Sequence, residues 1–227
     1  MNSEELKDVF REDVVDTELP YLWTDDEVFR YMDAAYRMFV RKTVGISDIT
    51  STEATVVTVT QGEAFSDLHP SVLRIMSARL ESTDEPIRVI NMTDVENMTA
   101  DDYKLQRSLR LDDTPGKIKY MIIGAEKDKA RWVQVPEVDD AVNLHVYRLP
   151  LTHIVDGNHT LSEVSEDNHT YLLYWMKHLA YLKQDAETFD RAKSNENRNE
   201  FLAYCEQCRA EWERYKHKNR VVQYGGL

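Results

Sequence analysis

Cys205 and Cys208, with two residues between them, are the first pair in this 227-residue chain whose spacing could hold a metal or run thiol chemistry. A structural zinc site needs four ligands, and no second C-x-x-C exists to complete one. Both sulfurs also fall on an apolar helical seam, which reads as buried packing. The seven histidines are scattered, with no H-E-x-x-H and no pair at helical ligand spacing. Asp156, Asn158 and Thr160 repeat the opening of a calcium loop, but Leu161 stands where that loop requires glycine. Ser66, Asp67 and His69 bring triad residue types together; triads converge from separate segments, whereas this stretch runs into Pro70 like an ordinary turn. Seven glycines include no G-x-G-x-x-G and no Walker loop. Carboxylates are plentiful, yet no pair is singled out as the acid and base of a hydrolase. The expectation is a chain with no catalytic residue, no metal and no cofactor.

The elements that must position these residues are better defined. Leu22 to Val44 states its own helix: Thr24 is a good N-cap and Glu27 stands three residues on, the signature of a capping box. Trp23 is placed to pack on Val28, and Asp25 and Asp26 put negative charge at the positive end of the helix dipole. Val28, Met32, Ala35 and Phe39 form a stripe widened by Phe29, Tyr36 and Val40, and Gly45 ends it. Residues 3 to 18 read as a short acidic helix or a loose arm, closed by Pro20.

From Ile46 the texture changes. Ala54–Thr60 is β-branched and reads as a strand, as do Pro86–Met92 and Ala141–Leu149; Lys117–Ile123 and Arg131–Val135 read as a hairpin after a Pro115-Gly116 turn. Ser71–Leu80 serves either period, leaning to a helical turn followed by strand. Thr99–Leu111 reads as a short helix. The middle is expected to be a mainly antiparallel module of about four to six strands with a single helix. Past Pro150 the helical period returns. Tyr171–Lys183 is apolar over most of its circumference and could be capped by Ser165, Asp167 or Asn168. Asp185 can recap a shorter helix through Ala192. Asn197–His217 then places Phe201, Cys205, Cys208, Trp212 and Tyr215 along one seam. The fold class expected is α+β: a helical bundle built from both chain ends, its core at Trp23, Val28, Met32, Phe39, Trp175, Leu179, Phe201 and Trp212, with the β-rich module inserted. The boundaries are 1–45 and 151–218 for the bundle, 46–150 for the module and 219–227 for a carboxyl-terminal extension.

Charge narrows the function. The net charge is −13, and residues 1 to 33 carry eleven acidic against three basic side chains. Gripping nucleic-acid phosphates takes clustered Lys and Arg, so a nucleic-acid reader is not expected. No apolar run approaches the roughly 18 to 20 residues of a membrane span, and the start of the chain is acidic rather than leader-like. Two cysteines fit a reducing compartment, and the Asn-X-Thr triplets at Asn91, Asn97, Asn158 and Asn168 then read as turn and cap chemistry. The last residues, Arg220, Val221, Val222, Gln223, Tyr224, Gly225, Gly226 and Leu227, make an apolar, aromatic, glycine-tipped tail too short to fold on itself. It reads as a loose end, or as an addition to a partner's groove or sheet edge with Tyr224 as anchor.

The helix LWTDDEVFRYMDAAYRMFVRKT, the strand end VYRLPL, the block YLLYWMKHLAYLKQDAETFDRA and the closing RVVQYGG together resemble the head-to-tail adaptor (connector, neck) proteins of tailed bacteriophages. One departure is Val164-Ser165, where an apolar-proline opening to the penultimate helix is expected. The resemblance implies a virion protein of the head-tail junction, made in the host bacterial cytoplasm. It further implies a homo-oligomeric ring of twelve copies beneath the portal protein, joined to tail tube, nozzle or other neck proteins, through which DNA passes without specific binding. The family's carboxyl-terminal extension against the portal maps to Arg220 through Leu227. Two readings compete with a structural adaptor: an acidic DNA-mimic inhibitor of a nucleic-acid enzyme, which would need long single-sign surface rows, and a hydrolase with dispersed carboxylates, which would need a cleft with perturbed acids.

Overall fold

A computed structural model describes residues 1–96, 115–185 and 187–217, so the expected Thr99–Leu111 helix and the Arg220–Leu227 extension lie outside the described residues. The chain is mixed α+β and divides into two compact units. One comprises Met1–Gly45 with the described residues from Pro150 onward, the other Ile46–Leu149.

In the first unit, α1 (Ser3–Val14) opens with a capping box: Asn2 Oδ1 accepts the Glu5 N–H at 2.8 Å and Glu5 Oε2 accepts the Asn2 N–H at 3.0 Å. The acidic start of the chain is therefore an ordered helix, with Leu6 and Phe10 fully buried. α2 (Asp25–Lys42) begins at the Thr24–Glu27 box and buries Val28, Phe29, Met32, Ala35, Tyr36, Phe39 and Val40. Gly45, at φ 88°, lets the chain turn away while its N–H reaches the Val40 carbonyl.

In the second unit, α3 (Thr52–Thr55) takes the first two residues of the expected Ala54–Thr60 strand, the Ser51 carbonyl accepting from both the Ala54 and the Thr55 N–H. The strands are β1 (Ile46–Asp48), β2 (Val56–Val59), β3 (Phe65–Asp67), β4 (Val72–Leu80), β5 (Pro86–Asn91), β6 (Pro115–Gly116), β7 (Tyr120–Ile123), β8 (Lys129–Trp132), β9 (Val135–Pro136) and β10 (Asp140–Arg148), with α4 (Met92–Glu96) after β5. Eight of them form one sheet in the order β1-β10-β4-β5-β7-β8-β3, with β2 also on β10. All its pairs are antiparallel except β5–β7.

β7 and β8 make the expected hairpin, Met121 opposite Trp132. Three expectations are corrected. The described residues hold ten strands and two short helices in this unit, not four to six strands and one helix. Pro115-Gly116 is not a turn but a short strand paired in parallel with Val135–Pro136. Ser71–Leu80 has no helical turn: β4 is strand throughout, bulged where Val146 and His145 face Ile75 and Ser77 and where Arg148 and Tyr147 face Val72 and Arg74. Each bulge inserts one residue, Met76 and Leu73, and turns it outward. The buried Ile75 and Ala78 are left three apart, a spacing that imitates a helix.

Back in the first unit, a 3-10 turn (Glu166–Asn168) leads into α5 (His169–Ala180), and α6 runs from Arg191 to His217. The expected short helix from Asp185 to Ala192 does not form. Asp190 caps one continuous 27-residue helix instead, its Oδ1 accepting the N–H groups of Ala192 and Lys193 at 3.0 Å each.

Candidate functional site

α5 and α6 run antiparallel, as the ladder of side-chain pairs shows. His178 meets Ser194, Trp175 meets Phe201 with ring centres 5.0 Å apart, Tyr171 stacks on Tyr204, and Asn168 Oδ1 accepts from Tyr204 Oη at 2.8 Å. Phe39 of α2 joins the same aromatic group, against Phe201 and Tyr204.

Of the residues named for the bundle core, Trp23, Val28, Met32, Phe39 and Phe201 are buried, whereas Trp175, Leu179 and Trp212 are half-buried. The seam of α6 fades along its length: Phe201 and Cys205 are buried, Cys208 and Trp212 half-buried, Tyr215 78% exposed. The reason is geometric. The start of α5 lies level with Cys208, whose Sγ is 3.7 Å from Asn168 Oδ1, so the residues after Cys208 run on past it.

Burial pushes the Cys205 thiol up to about 12, and burial raises Cys208 as well, a setting that disfavours the reactive thiolate at both. Among the described residues, no group of three or more His, Cys, Asp or Glu side chains converges as a metal site would require. Asp156 Oδ1 accepts the Asn158 N–H at 2.9 Å, and the Asp156 carbonyl accepts from Ser3 Oγ at 2.7 Å; the calcium-like stretch is a turn knitted to α1.

Ser66, Asp67 and His69 do not converge either. Ser66 Oγ accepts from the Trp132 indole at 3.0 Å, while His69 bonds elsewhere. Its Nδ1 accepts the Ser71 N–H and lies 2.7 Å from Ser71 Oγ, and its Nε2 is 3.2 Å from Glu53 Oε1. The Ser71–His69–Glu53 string has triad chemistry in the wrong setting. Ser71 is buried, two residues from its histidine, and the bond from its own N–H turns the string into a turn lock. Sequence alone did not single out Ser71 or Glu53.

What the sequence missed altogether is the device that fixes the α1–α2 connection. The buried Arg11 guanidinium donates to Asp16 Oδ2 at 2.7 Å, to the Trp23 carbonyl at 3.0 Å and to Asp25 Oδ1 at 2.6 Å, with its face over the Tyr21 ring. Asp16 Oδ1 in turn accepts the Leu22 N–H. The bond from Arg11, helped by Lys7, holds the Asp25 carboxyl below the usual range. Trp23, so placed, donates its indole N–H to the Ala180 carbonyl at 3.2 Å, and Lys183 donates to the Leu22 carbonyl and to Glu27. The α1–α2 and α5–α6 connections thus lie together at one end of the unit. Exposed large side chains collect there: Val15, Leu19, Tyr21, Leu22, Leu182 and Phe189.

No helix among the described residues is long and apolar enough to cross a membrane. Some acids of this unit pair with bases, Glu4 with Lys7, Asp13 with Lys177 and Glu206 with Arg209. The model of one protein family, described as SU10 adaptor protein, matches residues 1–217 of the chain. No curated protein matches it. The family match lends nothing to the DNA-mimic alternative.

Proposed function

The chain belongs to the SU10 adaptor protein family, head-to-tail adaptors of phages, and we propose on that footing that it forms a ring docked beneath the portal protein. The ring joins the portal to tail tube, nozzle or other neck proteins. It acts through interfaces and carries no catalysis. The single observation behind this reading is the family match, which extends over residues 1–217.

Each part of the chain takes a role in the proposal. The helices from the two chain ends act as the bundle that makes ring contacts among twelve copies. The inserted β-rich unit meets the next neck component. The extension Arg220–Leu227, which follows the matched span, engages the portal, with Tyr224 as anchor and Gly225 and Gly226 permitting close backbone approach. A net charge of −13 suits a channel that must let DNA slide rather than hold its phosphates. Synthesis in the host bacterial cytoplasm precedes incorporation at the head-tail junction.

The test is reconstitution. Purified protein mixed with the portal of the same phage should give a ring docked on the portal by cryo-electron microscopy, and removal of residues 219–227 should abolish docking while leaving the fold intact. A full-length chain that never binds the portal overturns the proposal.

A further inference from the structure

α1 sorts its charges by direction. Its two cations turn inward, Lys7 bonded to Glu4 and Asp25 and the buried Arg11 to Asp16 and Asp25. Outward stand Glu5, Asp8 and Glu12, all exposed, at steps of three and four that set them in one row along the helix with no cation among them. The Glu5 carboxylate takes only the uncharged Asn2 N–H, and no ion pair among the described residues relieves Asp8 or Glu12. Like charges so spaced repel one another. The last half of α2 is the converse. From Ala34 to Val44 the chain holds Arg37, Arg41 and Lys42 and no acid, and half-buried Ala34 and Met38 lie between the cations on the outward side. Arg37 answers Asp33 and donates to the Thr152 carbonyl, whereas Arg41 and Lys42 are exposed and have no acid partner among the described residues. Glu206 of α6, which like Lys42 lies close enough to act on the Cys205 thiol, is bonded to Arg209.

The two faces are complementary in charge, yet they cannot meet within one chain. α1 is pinned at the first turn of α2, where Asp25 takes Lys7 and Arg11, and Arg41 lies about 24 Å further along that helix at 1.5 Å per residue. We infer that the Glu5–Glu12 face of α1 in one copy docks on the Ala34–Lys42 face of α2 in the next, with Asp8 and Glu12 against Arg41 and Lys42 and the half-buried Val9 beside Ala34 and Met38. Such a contact joins different surfaces of two copies, and a contact of that kind repeated with rotation closes a ring. The inference rests on the adaptor reading, which calls for a ring, and names the surfaces that join its copies.

Asp8→Lys with Glu12→Lys reverses one face, and Arg41→Glu with Lys42→Glu the other; all four positions are exposed, so each variant should keep the helical signal and melting behaviour of the parent. Assembly is read by sedimentation velocity for the protein alone and by cryo-electron microscopy on the portal of the same phage. The parent should assemble, alone or on the portal, and less so as salt is added. Each variant by itself should assemble at least about thirtyfold more weakly, because like charges then face each other across the contact. An equal mixture of the two variants should assemble again, since acid meets base at every contact of an alternating ring, and so should one chain carrying all four substitutions. A role confined to the stability of the helices would give neither rescue. If either variant loses its helical signal, the single changes Glu12→Lys and Arg41→Glu take its place. The inference is overturned if either variant assembles like the parent, if the mixture or the fourfold chain stays monomeric, or if the parent itself never assembles. Portal binding by the same proteins separates the two claims. Assembly indifferent to these charges with portal binding intact sinks this interface alone, and assembly that follows them without portal binding sinks the adaptor reading alone.

Discussion

Among the described residues each unit buries one arginine–aspartate pair, and the two pairs are used differently. Arg11 and Asp16 are five residues apart, and they fold the chain between α1 and α2 back on itself. Arg148 and Asp48 are a hundred residues apart. They sit where β10 ends beside β1, so they fasten the last strand of the β-rich unit to its first. The period-two alternation of β10, which buries Val142, Leu144 and Val146, carries Arg148 onto the same face, and only a buried carboxylate makes that tolerable. Asp48 is well equipped. Burial alone would raise its pKa, but hydrogen bonds from Ser51, Thr50 and Arg148 hold it far below the usual carboxylate range. The local pair shapes a connection and the distant pair closes a sheet, so losing the second should cost more.

Asp48→Ala is expected to have the largest effect, about 3–5 kcal/mol, because it takes the Asp48 carboxylate from a buried guanidinium whose Leu149 carbonyl and Ser51 hydroxyl acceptors are neutral. Hydrogen exchange should show β1 and β10 losing protection while α2 and α5 keep theirs. Asp16→Ala should cost less, about 2–3 kcal/mol, since Arg11 keeps Asp25 and the Trp23 carbonyl as partners. Its loss should appear in peptides of the α1–α2 connection. Equal effects, or protection lost in both units together, would erase the distinction between the two pairs.

The same contrast of near and far separates what was legible in the sequence from what was not. The Thr24–Glu27 box, the stripe from Val28 to Phe39 and the β7–β8 hairpin were readable because all their partners lie within one element or its neighbour. Asp48 and Arg148 gave no signal, because neither residue's surroundings announce a partner a hundred positions away. β4 misled for another reason. Its period is broken by Leu73 and Met76, and the bulges that eject them are set by pairing with β10, which local pattern does not contain. Asp190 was passed over for Asp185, and nothing in the residues on either side ranks one acidic cap above the other. The carboxyl-terminal tail and the Thr99–Leu111 helix fall outside the described residues. The interface candidates at 220–227 therefore rest on the sequence resemblance.

Asp190→Ala should cost about 1 kcal/mol, a lost N-cap, and fray the start of α6 without touching the β-rich unit. Acid should separate the units more gently. His178 is buried between α5 and α6, and burial lowers its pKa despite the Ser194 carbonyl that favours the charged form. A histidine whose folded pKa lies below its unfolded value near 6.5 contributes stability that is complete above about that pH and lost as pH falls toward the folded value. Asp48, lowered from an unfolded value near 3.9, contributes stability that is kept until pH falls below about 4. On titration downward, exchange in α5 and α6 should therefore rise first, and exchange in β1 and β10 later. His178→Gln should remove the first step and leave the second.

The smallest effect on stability belongs to Tyr215→Ala. At 78% exposure the side chain has little burial to lose, so the change should fall within about 0.5 kcal/mol, whereas truncating Phe201 to alanine, about four turns earlier on the same helix, should cost about 3–5 kcal/mol. Such a helix stabilises its own unit through its first half and contributes little through its last turns. If Tyr215→Ala instead lowers the melting temperature as Phe201→Ala does, the end of α6 belongs to the core of its own chain, and the contrast between the two halves of that helix disappears.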